Sequence, residues 1–157
     1  GRNRLVVTGG EPLLQFPALA RMLEMLPDIE VEVETNGTIA PPEVLDALVA
    51  QYNVSPKLAH SGNPANIALP SESLDLWAAH PRAWFKFVVA SREDVDDVRE
   101  IQRKHAIAAT RIFLMPEGRD SASLRARMRW LGPLCVQHGF NFTDRLHIHL
   151  FSDTRGT

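Results

Sequence analysis

Apolar residues along the chain recur in two alternating patterns. Short runs with a period of two, or with continuous apolar character, are typical of strands, and longer segments with apolar residues every three or four positions are typical of helices. The clearest strand is IEVEVETNG at residues 29–37, where aliphatic and acidic residues alternate. The patterns predict strands at residues 4–10, 29–37, 52–54, 84–89, 109–115 and 146–151, and helices at residues 12–26, 41–50, 71–80, 91–105 and 121–138.

The alternation of strands with helices predicts an α/β domain with a mainly parallel sheet. In such sheets, ligands bind at the carboxyl ends of the strands. The segments that follow the predicted strands are therefore the candidates for a site. They are residues 8–12, 34–38, 55–57, 115–118 and 153–157, and most of them are polar or rich in glycine and proline.

Size and composition narrow the class of protein. The chain has 157 residues, which fits a single domain, with 45% hydrophobic and 23% charged residues. This composition excludes an intrinsically disordered tail, a collagen-like repeat and a disulfide scaffold. A net charge of −2 gives no basic excess for binding nucleic acid or a membrane, and no apolar run approaches the length of a membrane span. With one cysteine and no signal peptide, the chain is predicted to be cytoplasmic.

Gly9, Gly10 and Glu11 follow the first predicted strand and precede a helix. Two glycines let a ligand approach the backbone closely, and their amides can bind an anion. Glu11 then suits a cationic group such as an amine. The alternative is a tight turn with Glu11 at a helix N-terminus, where a carboxylate is favourable in any protein. Taken alone, the segment favours the simple turn, since neither GxGxxG nor GxxxxGK[ST] is present.

Three glutamates, Glu30, Glu32 and Glu34, share one face of the second predicted strand. A solvated strand face explains Glu30 and Glu32. Glu34 differs because it lies at the carboxyl end of the strand, beside Thr35 and Asn36. A carboxylate, a hydroxyl and an amide at this point suit the hydroxyl groups of a ribose.

Several basic residues are candidates for ligand contacts. Lys57 follows Ser55 and a proline, and it offers a charge for a carboxylate or phosphate, although a surface lysine is the commoner role. Lys86 lies within an apolar strand and either faces an edge or pairs with an acid. His147 and His149 are predicted to project from one face of the last strand. This is a weak metal signal, because nothing selects a third ligand among His60, His80, His105 and His138, and a single histidine facing a ligand is favoured over a zinc site.

Nucleophilic chemistry has little support in the sequence. Cys135 lies among apolar residues of a predicted helix and is interpreted as a buried structural cysteine. The nucleophile elbow GxSxG is absent, and no Ser-His-Asp arrangement is recognised. We therefore assign no catalytic side chain and no metal ligand.

Four segments, in order along the chain, resemble the radical S-adenosylmethionine superfamily and, within it, the 7-carboxy-7-deazaguanine synthase family of queuosine and deazapurine biosynthesis. They are VVTGGEPLLQ, EVETNGT, YNVSPKLAHSGN and RLHIHLFSDTRGT. GGEP alone points only to the superfamily, whereas the four segments together are specific. The resemblance implies a partial, open (β/α) barrel of the radical S-adenosylmethionine type.

The resemblance also implies a role for each matched residue. Contacts to S-adenosylmethionine would come from Gly9, Gly10, Glu11, Glu34, Thr35, Asn36, Ser55, Lys57, Met115, Pro116 and Glu117. Thr8, His147 and Thr157 would contact the pterin substrate. Family members are carbon-nitrogen lyases that rearrange 6-carboxy-5,6,7,8-tetrahydropterin to 7-carboxy-7-deazaguanine with loss of ammonia, assisted by magnesium. The implied partners are a flavodoxin-type or ferredoxin-type reductant and a second copy in a homodimer.

The cysteine content departs from the family pattern. Members carry an N-terminal CxxxCxxC-type motif for a [4Fe-4S] cluster, whereas the single cysteine here is Cys135. We therefore expect residues 1–157 to form one core domain without its first strand and helix, its cluster ligands and its magnesium ligand, and to be inactive alone. The alternatives are a cluster-free homologue that binds S-adenosylmethionine or a pterin without turnover, and a radical S-adenosylmethionine activase of another protein.

Overall fold

The computed structural model describes residues 3–62 and 71–154. The strands are β1 (Arg4–Val7), β2 (Glu30–Thr35), β3 (Gln51–Val54), β4 (Ala83–Val89), β5 (Ile112–Pro116) and β6 (Asn141–Phe142). The α-helices are α1 (Phe16–Glu24), α2 (Ser71–Ala79), α3 (Arg92–Lys104), α4 (Ser121–His138) and α5 (Leu146–Phe151). Short 3-10 turns cover Pro12–Gln15, Glu43–Leu45, Ala59–Ser61 and Ala109–Arg111. In this described part of the chain, no helix has the length and apolar character needed to cross a membrane.

The six strands form one open sheet in the order β1-β2-β3-β4-β5-β6, and each neighbouring pair is parallel. Each strand therefore pairs with the strand that precedes it along the chain, and β1 and β6 form the two edges. This architecture confirms the predicted α/β class with a parallel sheet. Because the strands are parallel, their carboxyl ends all lie along one edge of the molecule.

One face of the sheet is buried beneath the helices. In β2, Val31 and Val33 are only 2% and 0% exposed. Leu23 of α1 and Val98 of α3 belong to the same hydrophobic core. The strict alternation of β2 follows from this packing, since side chains one residue apart point to opposite faces of a strand. Burial of the apolar face is the main favourable contribution to folding.

The opposite face of the sheet is polar. Arg4 of β1 forms ion pairs at 2.7 Å with both Glu30 and Glu32, and the hydrogen bond that Arg4 donates to Glu30 is the largest cause that raises the pKa of Arg4. Asn53 Nδ2 donates to Glu32 Oε2 at 3.1 Å. The predicted solvated face holds for Glu30, whose side chain is 44% exposed, whereas Glu32 is 13% exposed and takes part in this network.

The helix predicted for residues 41–50 is wrong. The segment forms only the 3-10 turn Glu43–Leu45 and the turns that follow it. Arg82 Nη1 donates hydrogen bonds to the carbonyl oxygens of Asp46 and Val49, at 2.6 and 2.9 Å. Ala50 N donates to Val31 O of β2 at 2.8 Å, so the chain enters the sheet where the predicted helix would end.

The strand predicted for residues 146–151 is also wrong, because this segment forms the helix α5. The sixth strand is Asn141–Phe142, which the sequence pattern does not predict. Of the alternating apolar residues in α5, Ile148 is 3% exposed, whereas Leu146 and Leu150 are 66% and 62% exposed. The period-two pattern therefore does not correspond to one buried face.

Helix α3 begins with a reciprocal capping box, at the position where the sequence predicts the start of a helix. The Ser91 hydroxyl accepts a hydrogen bond from Asp94 N at 3.3 Å, and Asp94 Oδ2 accepts from the amides of Ala90 and Ser91 at 2.6 and 3.0 Å. Asp94 Oδ1 pairs with His60 Nδ1 at 3.0 Å. Burial acts to raise the pKa of Asp94, but the two backbone hydrogen bonds and His60 outweigh burial, so the pKa lies below its ordinary value.

Replacing Asp94 with asparagine is expected to lower the free energy of unfolding by about 1–2 kcal/mol near neutral pH. Because the folded-state pKa is lowered, the charge of Asp94 stabilises the fold above the unfolded-state pKa, and this contribution is lost as the pH falls through the folded-state pKa. Urea unfolding of both proteins, at about pH 7 and at about pH 3, should therefore show a smaller difference in acid.

The matched control for this measurement is Asp96→Asn on the same helix. The Asp96 side chain is 72% exposed and pairs only with the exposed Arg99, so its replacement should change the free energy of unfolding by less than about 0.5 kcal/mol. A destabilisation by Asp94→Asn that is equal at both pH values would show that the charge of Asp94 contributes nothing.

Candidate functional site

A cavity of about 300 Å³ lies at the carboxyl ends of the parallel strands. The segments at the ends of β1 to β5, and the segment before α5, all contribute to its wall. The lining residues are Thr8, Gly9, Gly10, Glu34, Thr35, Asn36, Ser55, Lys57, Lys86, Val88, Met115 and Arg145. The loops that follow β1, β2 and β3 and the last residues of β4 and β5 therefore open onto one space, which is the usual position of a ligand site in a parallel sheet.

Glu11 joins the ends of β1 and β2. Its Oε1 accepts hydrogen bonds from Thr35 Oγ1 at 2.9 Å and from Leu13 N at 3.0 Å, and its Oε2 accepts from Asn36 N at 2.8 Å. The bond from Leu13 N makes Glu11 the N-cap of a 3-10 turn, as the simpler interpretation of the sequence predicts. A carboxylate offers about four acceptor positions, so Glu11 retains capacity for one further donor such as an ammonium group.

The backbone at Gly9 and Gly10 faces open space. Gly9 has a φ of +134°, a conformation that L-residues rarely adopt. A Cβ atom built at either glycine would meet no heavy atom within 4 Å. The protein therefore leaves room at this turn, and a ligand can approach the main chain here.

The turn after β2 is fixed by its own hydrogen bonds. Thr35 Oγ1 accepts from Gly37 N at 3.1 Å, and Asn36 Oδ1 accepts from Thr38 N at 2.9 Å and from Thr38 Oγ1 at 2.6 Å. Gly37 has a φ of +78°, and a Cβ there would come within 2.7 Å of Val54 Cγ1. Only glycine fits both requirements, so the sequence specifies this turn closely.

Glu34 is held between two neighbouring side chains. Thr8 Oγ1 donates to Glu34 Oε2, and Lys86 Nζ pairs with Glu34 Oε1, each at 3.2 Å. The sequence allows Lys86 either to face an edge or to pair with an acid. The structure shows that Lys86, on the central strand β4, pairs with Glu34. The side chains of Lys86 and Glu34 are 27% and 39% exposed, so this pair orients the site more than it stabilises the fold.

The ends of β3 and β5 contribute unequally to the cavity. Ser55 and Lys57 line it, and Ser55 N donates to Thr35 O at 2.8 Å. Of the three candidates at the end of β5, Met115 lines the cavity. Pro116 is buried in the opposite direction, and Glu117 Oε2 forms an ion pair with Arg127 Nη2 at 3.2 Å. The geometry therefore does not bring Pro116 and Glu117 into the cavity wall.

The C-terminal candidates lie apart from this cavity. Because α5 is a helix, His147 and His149 do not project from one face as they would on a strand. His147 is exposed and is not among the residues that line the cavity. Thr157 lies outside the described residues. The roles of His147 and Thr157 in substrate binding stay predictions.

His149 connects two other elements of the fold. Its Nδ1 lies 3.0 Å from Ser121 Oγ at the start of α4, and its Nε2 lies 2.9 Å from Asp144 Oδ2 in the segment before α5. This is a Ser-His-Asp arrangement, so the prediction that the chain has none is wrong; its three members lie apart in the sequence and meet only through the packing of α5. None of the three residues lines the cavity at the strand ends, so we assign them to the attachment of α5 to α4.

Metal ligands and thiols are sparse. Among residues 3–62 and 71–154, no group of three or more His, Cys, Asp or Glu side chains could hold a metal ion. Cys135 is buried in α4, as predicted, and burial raises its pKa to about 11. Such a thiol is mostly protonated at neutral pH. A [4Fe-4S] cluster needs several thiolates, so the single cysteine of this chain does not fit one.

Sequence reasoning missed two residues of the cavity wall, Val88 and Arg145. Val88 lies in β4 between the buried Phe87 and Val89, so the period of two could have predicted that it faces the cavity. Arg145 belongs to a segment that carries the family resemblance. Its place in the cavity wall could not be predicted from a local pattern, because it depends on the path of the chain between β6 and α5.

A second cavity, of about 370 Å³, extends along the polar face of the sheet. It is lined by Glu34, Gln51, Asn53, Trp84, Phe85, Lys86, Phe113, Met115 and Thr143. It shares Glu34, Lys86 and Met115 with the first cavity, so the two spaces adjoin. The rings of Trp84 and Phe113 lie 5.8 Å apart in this wall. Aromatic rings beside amide and carboxylate groups suit a flat, polar heterocycle.

Comparison with known sequences gives a consistent result, although no family model matches the chain. The chain is 38% identical over 98% of its length to the 7-carboxy-7-deazaguanine synthase of Pyrobaculum aerophilum. It is 32% identical to the enzyme of that name from Rhodopirellula baltica and 34% identical to that from Halobacterium salinarum. The chain covers 68%, 65% and 67% of these three relatives, respectively, and therefore spans about two thirds of their length.

Comparison with solved structures supports the same architecture. The chain superposes on Streptococcus suis SuiB with a TM-score of 0.61 at 16% identity, covering 90% of this chain and 39% of that one. A structure of SuiB bound to S-adenosylmethionine matches with the same TM-score of 0.61. At this level of identity, the comparison establishes a shared fold.

Proposed function

The chain belongs to the 7-carboxy-7-deazaguanine synthase family, and we propose that it forms the part of such an enzyme that binds S-adenosylmethionine and the pterin substrate. The proposed reaction of the full-length protein converts 6-carboxy-5,6,7,8-tetrahydropterin to 7-carboxy-7-deazaguanine with loss of ammonia. Bound S-adenosylmethionine, once reduced, would supply the chemistry that abstracts a hydrogen atom from the substrate. The residues of this chain would bind and orient the two reactants.

The observation that carries this proposal is the arrangement around Glu11. Its carboxylate is held by three donors at the ends of β1 and β2 and keeps capacity for a further donor. The open backbone of Gly9 and Gly10 lies beside it. Glu11 lines a cavity of about 540 Å³ that shares Thr8, Gly9 and Gly10 with the strand-end cavity. An ammonium group of a methionine moiety can pair with Glu11 there, while the rest of the cofactor extends past the two glycines into the strand-end cavity toward Glu34 and Asn36.

The second cavity supports the substrate class. Trp84 and Phe113 offer apolar surface to a flat ring, and Gln51, Asn53 and Glu34 offer hydrogen-bonding groups beside it. A pterin has this combination of a planar ring with donors and acceptors at its edge. Because the two cavities adjoin at Glu34, a pterin in the second cavity lies next to a cofactor in the first.

The chain itself is expected to bind these ligands without turning them over. Its single cysteine is buried, so it has no set of thiolates for a cluster, and we derive no step through that group. Formation of 7-carboxy-7-deazaguanine by these 157 residues alone would contradict this expectation. The magnesium ion, the flavodoxin-type or ferredoxin-type reductant and the homodimer belong to the proposal for the full-length protein.

The buried cysteine also favours a second candidate, a cluster-free protein that binds S-adenosylmethionine or a pterin without turnover. A reading frame directly upstream that encodes three clustered cysteines would exclude this candidate. The names of the curated relatives favour the synthase reaction over the activase alternative.

Gly10→Val tests the cofactor site without altering the packing around it. A Cβ at Gly10 meets no atom within 4 Å, so the variant should fold while its side chain fills space that the cofactor needs. We expect isothermal titration with S-adenosylmethionine to show at least about a 10-fold loss of affinity, since a clash of this kind removes several contacts.

The matched control is Gly132→Val in α4, where a Cβ also meets no atom within 4 Å. Gly132 is not among the residues that line the cavity, so the variant should bind S-adenosylmethionine as the unmodified chain does. Equal affinities of the Gly10→Val and Gly132→Val proteins would contradict the proposed site.

A further inference from the structure

Arg145 lies between β6 and α5, in a wall shared by two cavities. It lines the cavity of about 300 Å³ at the strand ends and a neighbouring cavity of about 320 Å³. The neighbouring cavity is otherwise lined by Pro56, Lys57, Leu58, His60, Ser61 and Val88. Lys57 and Val88 are the other residues common to both walls. A side chain at this position can meet a ligand that occupies either space.

The guanidinium group of Arg145 is incompletely satisfied by the protein. Its Nε is buried and has no hydrogen-bond partner among the described residues. The nearest acid in sequence, Asp144, accepts from the backbone amide of Arg145 at 2.7 Å with one oxygen and pairs with His149 at 2.9 Å with the other. A buried donor without an acceptor is costly, so Arg145 is placed to receive an acceptor from outside the protein.

The charges around Arg145 leave a positive excess. Lys86 is paired with Glu34, and His60 is paired with Asp94. Lys57 forms no ion pair within residues 3–62 and 71–154. Lys57 and Arg145 are therefore the uncompensated cations of these two walls, and their combined field favours an anionic group between them.

We infer that Arg145 binds the carboxylate of a ligand in this site, with Lys57 as a second positive charge. The planar guanidinium matches the geometry of a carboxylate, and the buried Nε–H is one of the two parallel donors that such a pair uses. This inference rests on the proposed function, which supplies two ligands with a carboxylate. These are the methionine portion of S-adenosylmethionine and the carboxytetrahydropterin.

The first arm of the test compares S-adenosylmethionine with decarboxylated S-adenosylmethionine by isothermal titration. If Arg145 binds the cofactor carboxylate, Arg145→Gln should weaken S-adenosylmethionine about 10- to 100-fold and leave the decarboxylated analogue unchanged. Arg145→Lys should recover part of the affinity because it keeps the charge but not the paired donors. Arg125→Gln, at an exposed arginine of α4, is the matched control and should bind normally.

The second arm repeats the titrations with 6-carboxypterin and 6-methylpterin. A loss confined to 6-carboxypterin assigns Arg145 to the substrate carboxylate. The inference would be overturned if Arg145→Gln lost the same affinity for the ligand with a carboxylate and the ligand without one, in both pairs of ligands. It would also be overturned if the variant lost no affinity in either arm. Far-UV circular dichroism identifies any variant that has lost its fold. If Arg145→Gln is unfolded, the affinities of Arg145→Lys are compared with those of the unmodified chain instead.

A third measurement separates this inference from the proposed function. If the unmodified chain binds neither S-adenosylmethionine nor 6-carboxypterin, the proposed function fails. The Arg145 assignment is then decided by NMR titration with sodium acetate. The Nε–H resonance that disappears in Arg145→Lys should shift with acetate and stay in place with sodium chloride. An unmoved resonance would overturn the carboxylate assignment on its own.

Discussion

The Glu11→Gln variant is expected to lose most of its affinity for S-adenosylmethionine and to unfold more easily than the unmodified chain. Three donors converge on the two oxygens of Glu11, from Leu13 N, Thr35 Oγ1 and Asn36 N. An amide in place of the carboxylate directs an NH₂ group at one of these donors. We therefore expect a loss of about 1–3 kcal/mol in the free energy of unfolding, measured by urea titration.

The effect of Glu11→Gln on binding should be separable from its effect on stability. The variant removes the negative charge that the proposed ammonium group pairs with, so isothermal titration should show a loss of affinity of about 100-fold. Glu24→Gln, at an exposed position of α1, is the control for both measurements. If Glu11→Gln is destabilised but binds S-adenosylmethionine normally, Glu11 acts only as a cap, and the proposed role in binding is wrong.

The Trp77→Ala variant is expected to have the largest effect on stability, a loss of about 3–5 kcal/mol in the free energy of unfolding. Trp77 is 0% exposed and packs against Tyr52, with ring centroids 5.0 Å apart. Its Nε1 donates to the carbonyl oxygen of Ile39 at 2.8 Å. Alanine removes both the packing and this hydrogen bond, and the loss is a large fraction of the stability of an ordinary domain.

Two further variants of α2 define what Trp77 contributes. Trp77→Phe keeps most of the buried surface but loses the bond to Ile39, so its destabilisation should be roughly half that of Trp77→Ala. Leu76→Ala, at a neighbouring residue that is 53% exposed, should cost less than about 1 kcal/mol. Destabilisation of similar size in Leu76→Ala and Trp77→Ala would contradict the assignment of Trp77 to the core.

Trp77 also bears on the site, since α2 supports the turn after β2. Ser73 Oγ donates to the carbonyl oxygen of Gly37 at 2.7 Å, two residues before the carbonyl that Trp77 binds. The same turn begins with Thr35 and Asn36, whose hydroxyl and backbone amide donate hydrogen bonds to the carboxylate of Glu11. Loosening α2 should therefore weaken cofactor binding even though α2 does not line the cavity.

Features that depend on local sequence could be predicted well. The alternation in β2 follows from the pleat of a strand with one buried face, and Ser91 with Asp94 forms the capping box expected at the start of a helix. Gly139 ends α4 with a φ of +71°, as a glycine at a helix C-terminus commonly does. In each case, the determining interactions lie within a few residues of one another.

Features that depend on distant contacts could not be predicted. The segment before β3 is tied to distant residues instead of forming a helix: Arg82 donates to Val49 O, and Ala50 N donates to Val31 O of β2. The alternation in residues 146–151 is typical of a strand, but the segment packs as a helix with only Ile148 buried. The role inferred for Arg145 depends on two cavity walls that meet only after the chain has folded.

The sequential order of the sheet has a consequence for how the chain acquires its structure. Each of β2 to β6 pairs with the strand before it, so none of the pairings among the described strands joins segments that are distant in the strand order, and each loop that closes is of moderate length. During synthesis, every new strand emerges when its partner is already available. Assembly can therefore proceed in the direction of translation, with the most recently added strand serving as the template for the next.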